Sequence, residues 1–316
     1  MTPALLLSLA LAQSPETTLL YTAKRVEEGA PPRTLDSYDF TLFEPSTKAD
    51  LFVGVDEANL RQSASADAAV VTTVPLGAAV RVLERGKERL KVGEYVNHWY
   101  SVEYVDTQGT PAPGDDQRFS GWLFGNTLTP FRFEADLDGD GEKEVATVVM
   151  SADFKVRVRV LEPNVKPPRR VSSVDTVPAG QAYLGVDGGQ ARVTLVPAKK
   201  AGVALLQVDS SPEACGDYST NYVSYTVPGR KKGVLGRAKV ALELNGLSDP
   251  PTLSTFEVSF QSKKQGLTVV RSNSEEMDDE GNPTKETRER TRYALKDGVY
   301  MQVDAAGNVV ADDAKQ

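Results

Sequence analysis

"PFRFEADLDGDGEKEVATVVM", residues 130–150, decides the architecture. Phe131 and Phe133 alternate with polar residues before an acidic centre, and β-branched residues follow it in "EVATVVM". Neither flank has the 3.6-residue stripe of an amphipathic helix, and both have strand composition. The stretch therefore predicts strand, loop, strand.

The loop is chemically loaded. Asp136, Asp138 and Asp140 stand at its first, third and fifth positions, Gly141 at the sixth, Glu142 at the seventh and Glu144 at the ninth. Hard cations take oxygen ligands, and Ca²⁺ takes six to eight. Glycine allows the backbone reversal that gathers the carboxylates. Carboxylates this close repel by ~1 kcal/mol per pair even in water. A plain turn needs one Asp or Asn and a Gly, not this spacing. We expect Ca²⁺ held by Asp136, Asp138, Asp140, Glu142 (through its carbonyl) and Glu144. A helix–loop–helix site would need a bidentate Glu at position twelve, which is Thr147. The loop lacks a histidine and its ligand set is already full, so the expected role is structural, not catalytic.

Outward from this hairpin the same two-residue period recurs. "AVRVL" (79–83), "KVRVRVL" (155–161), "YVSYTV" (222–227), "KVALEL" (239–244) and "FEVSF" (256–260) alternate apolar and polar side chains between Gly, Pro, Asn and Asp turns. The expected fold class is all-β. "SEEMDDEGNPTKETRERTRYAL" (274–295) reads as a long exposed hairpin with its tip near 279–283.

The chain has 316 residues, 36 basic against 44 acidic, for a net charge of -8. That balance argues against nucleic acid as a partner. Residues 4–12 are apolar and end in Ala10-Leu11-Ala12, a small-residue cleavage pattern. The run is too short to span a bilayer, so residues 1–12 are expected to be a signal peptide and the product exported. There is one cysteine, Cys215, and one histidine, His98. A lone cysteine forms no internal disulfide. Its ionisable neighbours, Glu213 and Asp217, are acids, whereas a reactive thiol needs a basic one.

Residues 49–130 form an ordered set of pieces. They are Asn59-Leu60-Arg61, a valine-rich strand, Gly77 before Val80-Arg81-Val82-Leu83, then Trp99-Tyr100-Ser101-Val102, and last Gly121-Trp122-Leu123 with Leu128. This order resembles the bacterial SH3 family. It departs from the family in reading "RQSAS" after the arginine, without the usual proline, and in longer segments at 87–97 and 107–118. The resemblance implies a small β-barrel that binds peptidoglycan or a protein segment, with Trp99, Tyr100 and Trp122 as candidate ligand contacts. The loop at 136–144 resembles the short calcium loop of FG-GAP and VCBS-type repeats, in a single copy.

The organisation expected is a signal peptide (1–12), a lead-in (13–48), an SH3-like barrel (49–130), a second antiparallel β domain opening with the calcium hairpin (131–303), and a tail (304–316). The function expected is non-catalytic binding in the cell envelope, to peptidoglycan or an envelope protein. Two other readings stay open: a calcium-responsive scaffold or sensor, and an envelope hydrolase. A cysteine peptidase of the kind that accompanies such barrels places its Cys before its His, and here His98 precedes Cys215.

Overall fold

The computed structural model describes residues 18–25, 38–41, 50–93, 95–106, 117–150, 155–162, 171–178, 190–211, 216–278 and 280–310. The expected signal peptide and Cys215 lie outside them, as does most of the 107–118 segment.

The all-β expectation holds. Two short strands come first, β1 (Thr18–Arg25) and β2 (Tyr38–Thr41). Seven follow: β3 (Asp50–Val53), β4 (Glu57–Arg61), β5 (Val70–Pro75), β6 (Ala79–Val92), β7 (Tyr95–Asp106), β8 (Gln117–Phe124) and β9 (Leu128–Thr129). Their pairing order is β9-β3-β6-β7-β8-β4-β5, a sheet curled into a half-barrel. The longer segment at 87–97 extends β6 and β7 into a hairpin whose register reaches Val92 opposite Tyr95.

Alternation builds this unit. In β4 the pattern is exposed, buried, exposed, buried, so Ala58 and Leu60 turn inward while Glu57 and Asn59 face water. Val74, Val80, Val82, Val102 and Leu123 join them in the core. Gly121 marks where β8 crosses β4. A Cβ there would stand 2.6 Å from the Arg61 carbonyl oxygen and 2.9 Å from Leu60 Cγ.

A small antiparallel meander follows: β10 (Arg132–Ala135), β11 (Glu144–Met150), β12 (Lys155–Leu161) and β13 (Val171–Pro178). Then a long meander runs through β14 (Gln190–Val196), β15 (Leu205–Ser211), β16 (Gly216–Thr226), β17 (Arg237–Asp249), β18 (Thr252–Gln261), β19 (Gly266–Ser274), β20 (Glu286–Lys296) and β21 (Val299–Val303). Every neighbouring pair in it is antiparallel. The hairpin expected at 274–295 is β19–β20, with Met277 bridged to Pro283 near its tip.

The lead-in stitches the units together. β1 pairs with β14 on one side and β2 on the other, and β2 meets β7 in parallel at Asp39 and Val96. β8 covers β7 only from Trp99 onward, which leaves the start of β7 open to β2.

Packing crosses these boundaries too. One apolar cluster joins Leu60, Val102 and Leu123 of the half-barrel to Phe133, Val148 and Val158 of the small sheet and to Val208 and Val223 of the long one. Thr129 Oγ1 donates to the Val148 carbonyl at 2.7 Å. Arg159, buried on β12, pairs with Asp56 beside β4. Ser172 Oγ accepts the Ala238 N–H at 2.8 Å, tying β13 to β17. The small sheet is thus held from both sides, which fixes the acidic loop between β10 and β11.

Candidate functional site

The β10–β11 register closes at Ala135 opposite Glu144, so the acidic loop is the hairpin connection itself. Gly139 and Gly141 take φ +80° and +88°, the left-handed region that other residues enter at a cost. Asp136 organises the reversal: Oδ1 accepts the Gly139 N–H at 2.7 Å and Oδ2 the Gly141 N–H at 3.1 Å. Asp138 Oδ1 accepts from Asp140 N at 3.0 Å, and Asp140 Oδ1 from Glu142 N at 2.7 Å. Glu144 reaches back across the loop, where Oε2 accepts the Leu137 N–H at 2.6 Å.

Asp136, Asp138 and Glu144 each offer an oxygen within 4.8 Å of the other two. Asp140 and Glu142 stand outside that group. Lys232 approaches Glu142 at 3.8 Å from the β16–β17 connection. Three of the four carboxylates singled out from sequence therefore converge; Glu142 is the residue expected to act through its carbonyl.

A fourth carboxylate arrives from elsewhere. Glu162, one residue beyond β12, is 1% exposed and accepts a hydrogen bond from the Tyr225 hydroxyl at 3.3 Å on Oε2. Nothing in "RVLEPN" marks it, because Glu is common at strand ends. Only packing carries it under the loop.

Burial makes this cluster electrostatically unusual. Glu144 is fully buried, and desolvation pushes its carboxyl up to about 8, helped by the negative charge of Glu162, Asp138 and Asp136 and opposed by the Leu137 N–H. Desolvation likewise raises Glu162, whose acidic neighbours are Asp138, Asp140 and Glu142. Asp138 is raised by burial first and by Asp140 and Asp136 next, against the backbone N–H groups that favour its charged form. Among the described residues, Asp138 Oδ2, Glu142 Oε2, Glu144 Oε1 and Glu162 Oε1 are buried without a hydrogen-bond partner. A buried carboxylate without a partner costs several kcal/mol. All-oxygen donors of this kind would suit a hard divalent cation.

The half-barrel offers a different kind of site. Val70, Arg61, Trp122, Ser101 and Glu84 lie side by side across β5, β4, β8, β7 and β6. Their neighbours Leu60, Leu123, Val102 and Val82 fill the core, so this row faces outward. Val70 is 47% exposed, and Trp122 is partly exposed. The other two candidate contacts are placed differently. Tyr100 points into the core opposite Leu123. Trp99 is 3% exposed and packs its ring 5.5 Å from that of Phe124. His98, beside it, sets Nδ1 2.7 Å from the Gly86 carbonyl oxygen.

Comparison with known families agrees with this geometry. Residues 56–129 match the model of the bacterial SH3 domain, covering β4 to β9. No curated protein and no solved structure matches the chain. Bacterial SH3 domains serve in binding to cell wall or protein. Among the described residues no helix is long and apolar enough to cross a membrane.

Proposed function

We propose that this protein is an exported, non-catalytic binding protein of the cell envelope, whose half-barrel engages peptidoglycan or a protein partner. The observation that carries the reading is the outward row through Trp122 on a domain of the bacterial SH3 type. A half-exposed tryptophan beside Arg61 and Val70 offers an aromatic face, a cation and an apolar edge on one surface. Tyr100 supports that surface from beneath, and Trp99, on the face of Ser101, packs on Phe124 beside the row.

Calcium in the acidic hairpin would stabilise rather than react. Asp136, Asp138 and Glu144 would hold it, with Glu162 behind them. Its charge would offset the buried carboxylates and clamp the hairpin where the small sheet meets the long one. The side chains near it supply oxygen ligands, and the single histidine lies on β7.

The test is retention of the purified chain on cell-wall sacculi and on envelope extract, beside Trp122→Ala with its melting curve checked. Wild-type retention lost in the variant supports the reading. Equal retention of both, or none by either, removes the half-barrel row as the binding surface. Cell fractionation decides export.

A further inference from the structure

A cavity of about 890 Å³ opens where the turns of the long meander gather against the acidic hairpin. Four hairpin connections meet there, contributing Val203, Arg230, Gln265 and Asp297 in chain order. Leu137 and Asp138 of the acidic hairpin form the facing wall. The volume lies within the ~300–1,000 Å³ usual for small-ligand sites.

Its lining is sorted by chemistry. Val203, Val227, Leu235 and Leu295 supply an apolar floor, and Arg230 and Arg237 supply positive charge. Neither guanidinium has a hydrogen bond or ion pair among the described residues. That sets them apart from Arg157 and Arg159, which hold Asp175 and Asp56. Lys239, also in the lining, is occupied by the Asp297 carbonyl oxygen at 2.7 Å. The Arg230 guanidinium lies against Gly139 of the acidic hairpin, and with Arg237 it borders an apolar floor, a lining that fits a planar anion carried on an apolar body.

We propose that this cavity binds the carboxylate end of a peptide, and that it does so when the acidic hairpin holds its cation. Arg230 and Arg237 grip the carboxylate, and the apolar floor takes the last side chain. The Thr226 side chain lines the same cavity, within which it would meet the terminal amide. The cation-dependence rests on the calcium reading above; the arginine site does not.

Two features couple the cavity to the cation. Asp138 is shared, lining the cavity and belonging to the converging acids. Without a cation, the Asp138 wall offers an incoming carboxylate no positive charge; with one, that wall carries the cation's charge. A hydrogen-bond relay runs the same way. Tyr225, in the cavity wall, donates to Glu162 and accepts the Gly236 N–H at 2.6 Å. Gly236 ends the turn that starts after Val227 and precedes Arg237 directly. By reciprocity, the ligand must tighten cation binding by the factor the cation tightens the ligand.

The experiment is ligand-observed NMR titration of the full chain with N-acetyl-leucine, in Ca²⁺ and in chelator. N-acetyl-leucinamide, hexanoate and inorganic phosphate are the competing probes, and calorimetric Ca²⁺ titration runs alongside. N-acetyl-leucine should bind in Ca²⁺ and weaken about tenfold or more in chelator. The amide, and the doubly substituted Arg230→Met with Arg237→Met, should each weaken it by about tenfold or more. The double variant should keep the wild-type melting curve, since both side chains are exposed. Hexanoate binding as tightly as N-acetyl-leucine overturns the peptide end in favour of a simple acid, and phosphate doing so overturns the carboxylate. A normal Ca²⁺ isotherm with no N-acetyl-leucine binding overturns the inference and leaves the calcium reading standing. N-acetyl-leucine binding without a Ca²⁺ isotherm does the reverse: it overturns the calcium reading and the coupling, and supports the arginine site.

Discussion

The half-barrel and the acidic hairpin adjoin each other and solve burial in opposite ways. The half-barrel puts Leu60, Val102 and Leu123 inside and leaves Arg61, Glu84 and Trp122 at the surface. Its stability comes from apolar area and backbone pairing, and needs no ligand. The hairpin buries Asp138, Glu144 and the neighbouring Glu162, with an oxygen of each unpartnered. Held as carboxylates, these groups would need something that compensates their charge. Adjacent units of one chain thus differ in whether their interior is apolar or acidic.

The contrast is best broken by measurements with and without calcium. Trp99→Ala should have the largest effect, ~3–5 kcal/mol, because a buried aromatic leaves a cavity. Chemical denaturation should give the same loss in Ca²⁺ and in chelator; a loss confined to one condition would show that the half-barrel also depends on the cation.

Calcium itself comes next. At a concentration a hundredfold above Kd it should stabilise the wild type by about 2.7 kcal/mol by mass action. Asp138→Ala should remove that gain. If melting is indifferent to calcium and chelator alike, the hairpin is complete without a cation.

Glu162→Gln sharpens the role of the residue the loop motif does not contain. It should weaken Ca²⁺ about tenfold or more by calorimetry, as expected when an acid behind the ligands is lost. The chelated protein should be no less stable, because an uncompensated buried charge has gone. A chelated variant markedly less stable than wild type would make Glu162 a packing residue.

Trp122→Ala should cost about 1 kcal/mol or less, since the ring is partly in water, while its retention on envelope material falls. Smallest of all is Arg157→Met. Asp175 is held below the usual carboxylate range by the hydrogen-bonded Arg157 guanidinium, at 2.6 and 2.9 Å. A depressed acid stabilises the fold above its unfolded value near 3.8, and that gain disappears as pH falls through the folded value. The pair is partly exposed, so the loss at neutral pH should be about 0.5 kcal/mol. It should vanish in acid; a loss that persists there would be packing rather than charge.

Much of the architecture was legible from pattern. Two-residue alternation located the strands around "AVRVL", "KVRVRVL" and "FEVSF", because one wetted face and one buried face impose that period. The order of Gly, Trp and Val pieces in 49–130 located the bacterial SH3 unit. The strands of the lead-in were not legible. β1 and β2 earn their place by pairing with β14 and β7, partners far away in sequence. In the acidic loop, spacing brought out Asp136, Asp138 and Glu144 but also Asp140 and Glu142, because spacing does not say which carboxylates turn toward one another.

The same division holds for the whole protein. Local chemistry alone determined an all-β chain, an SH3-type order of strands and a loop crowded with acids, since each depends on neighbours within a few residues. Tertiary structure alone decided which tryptophan keeps a wet face, that Glu162 comes within electrostatic reach of the loop's acids, and that four turns bring two arginines to an open cavity beside it. Those facts depend on which distant surfaces exclude water from one another, and burial, not residue type, sets what a charge or an aromatic ring can do.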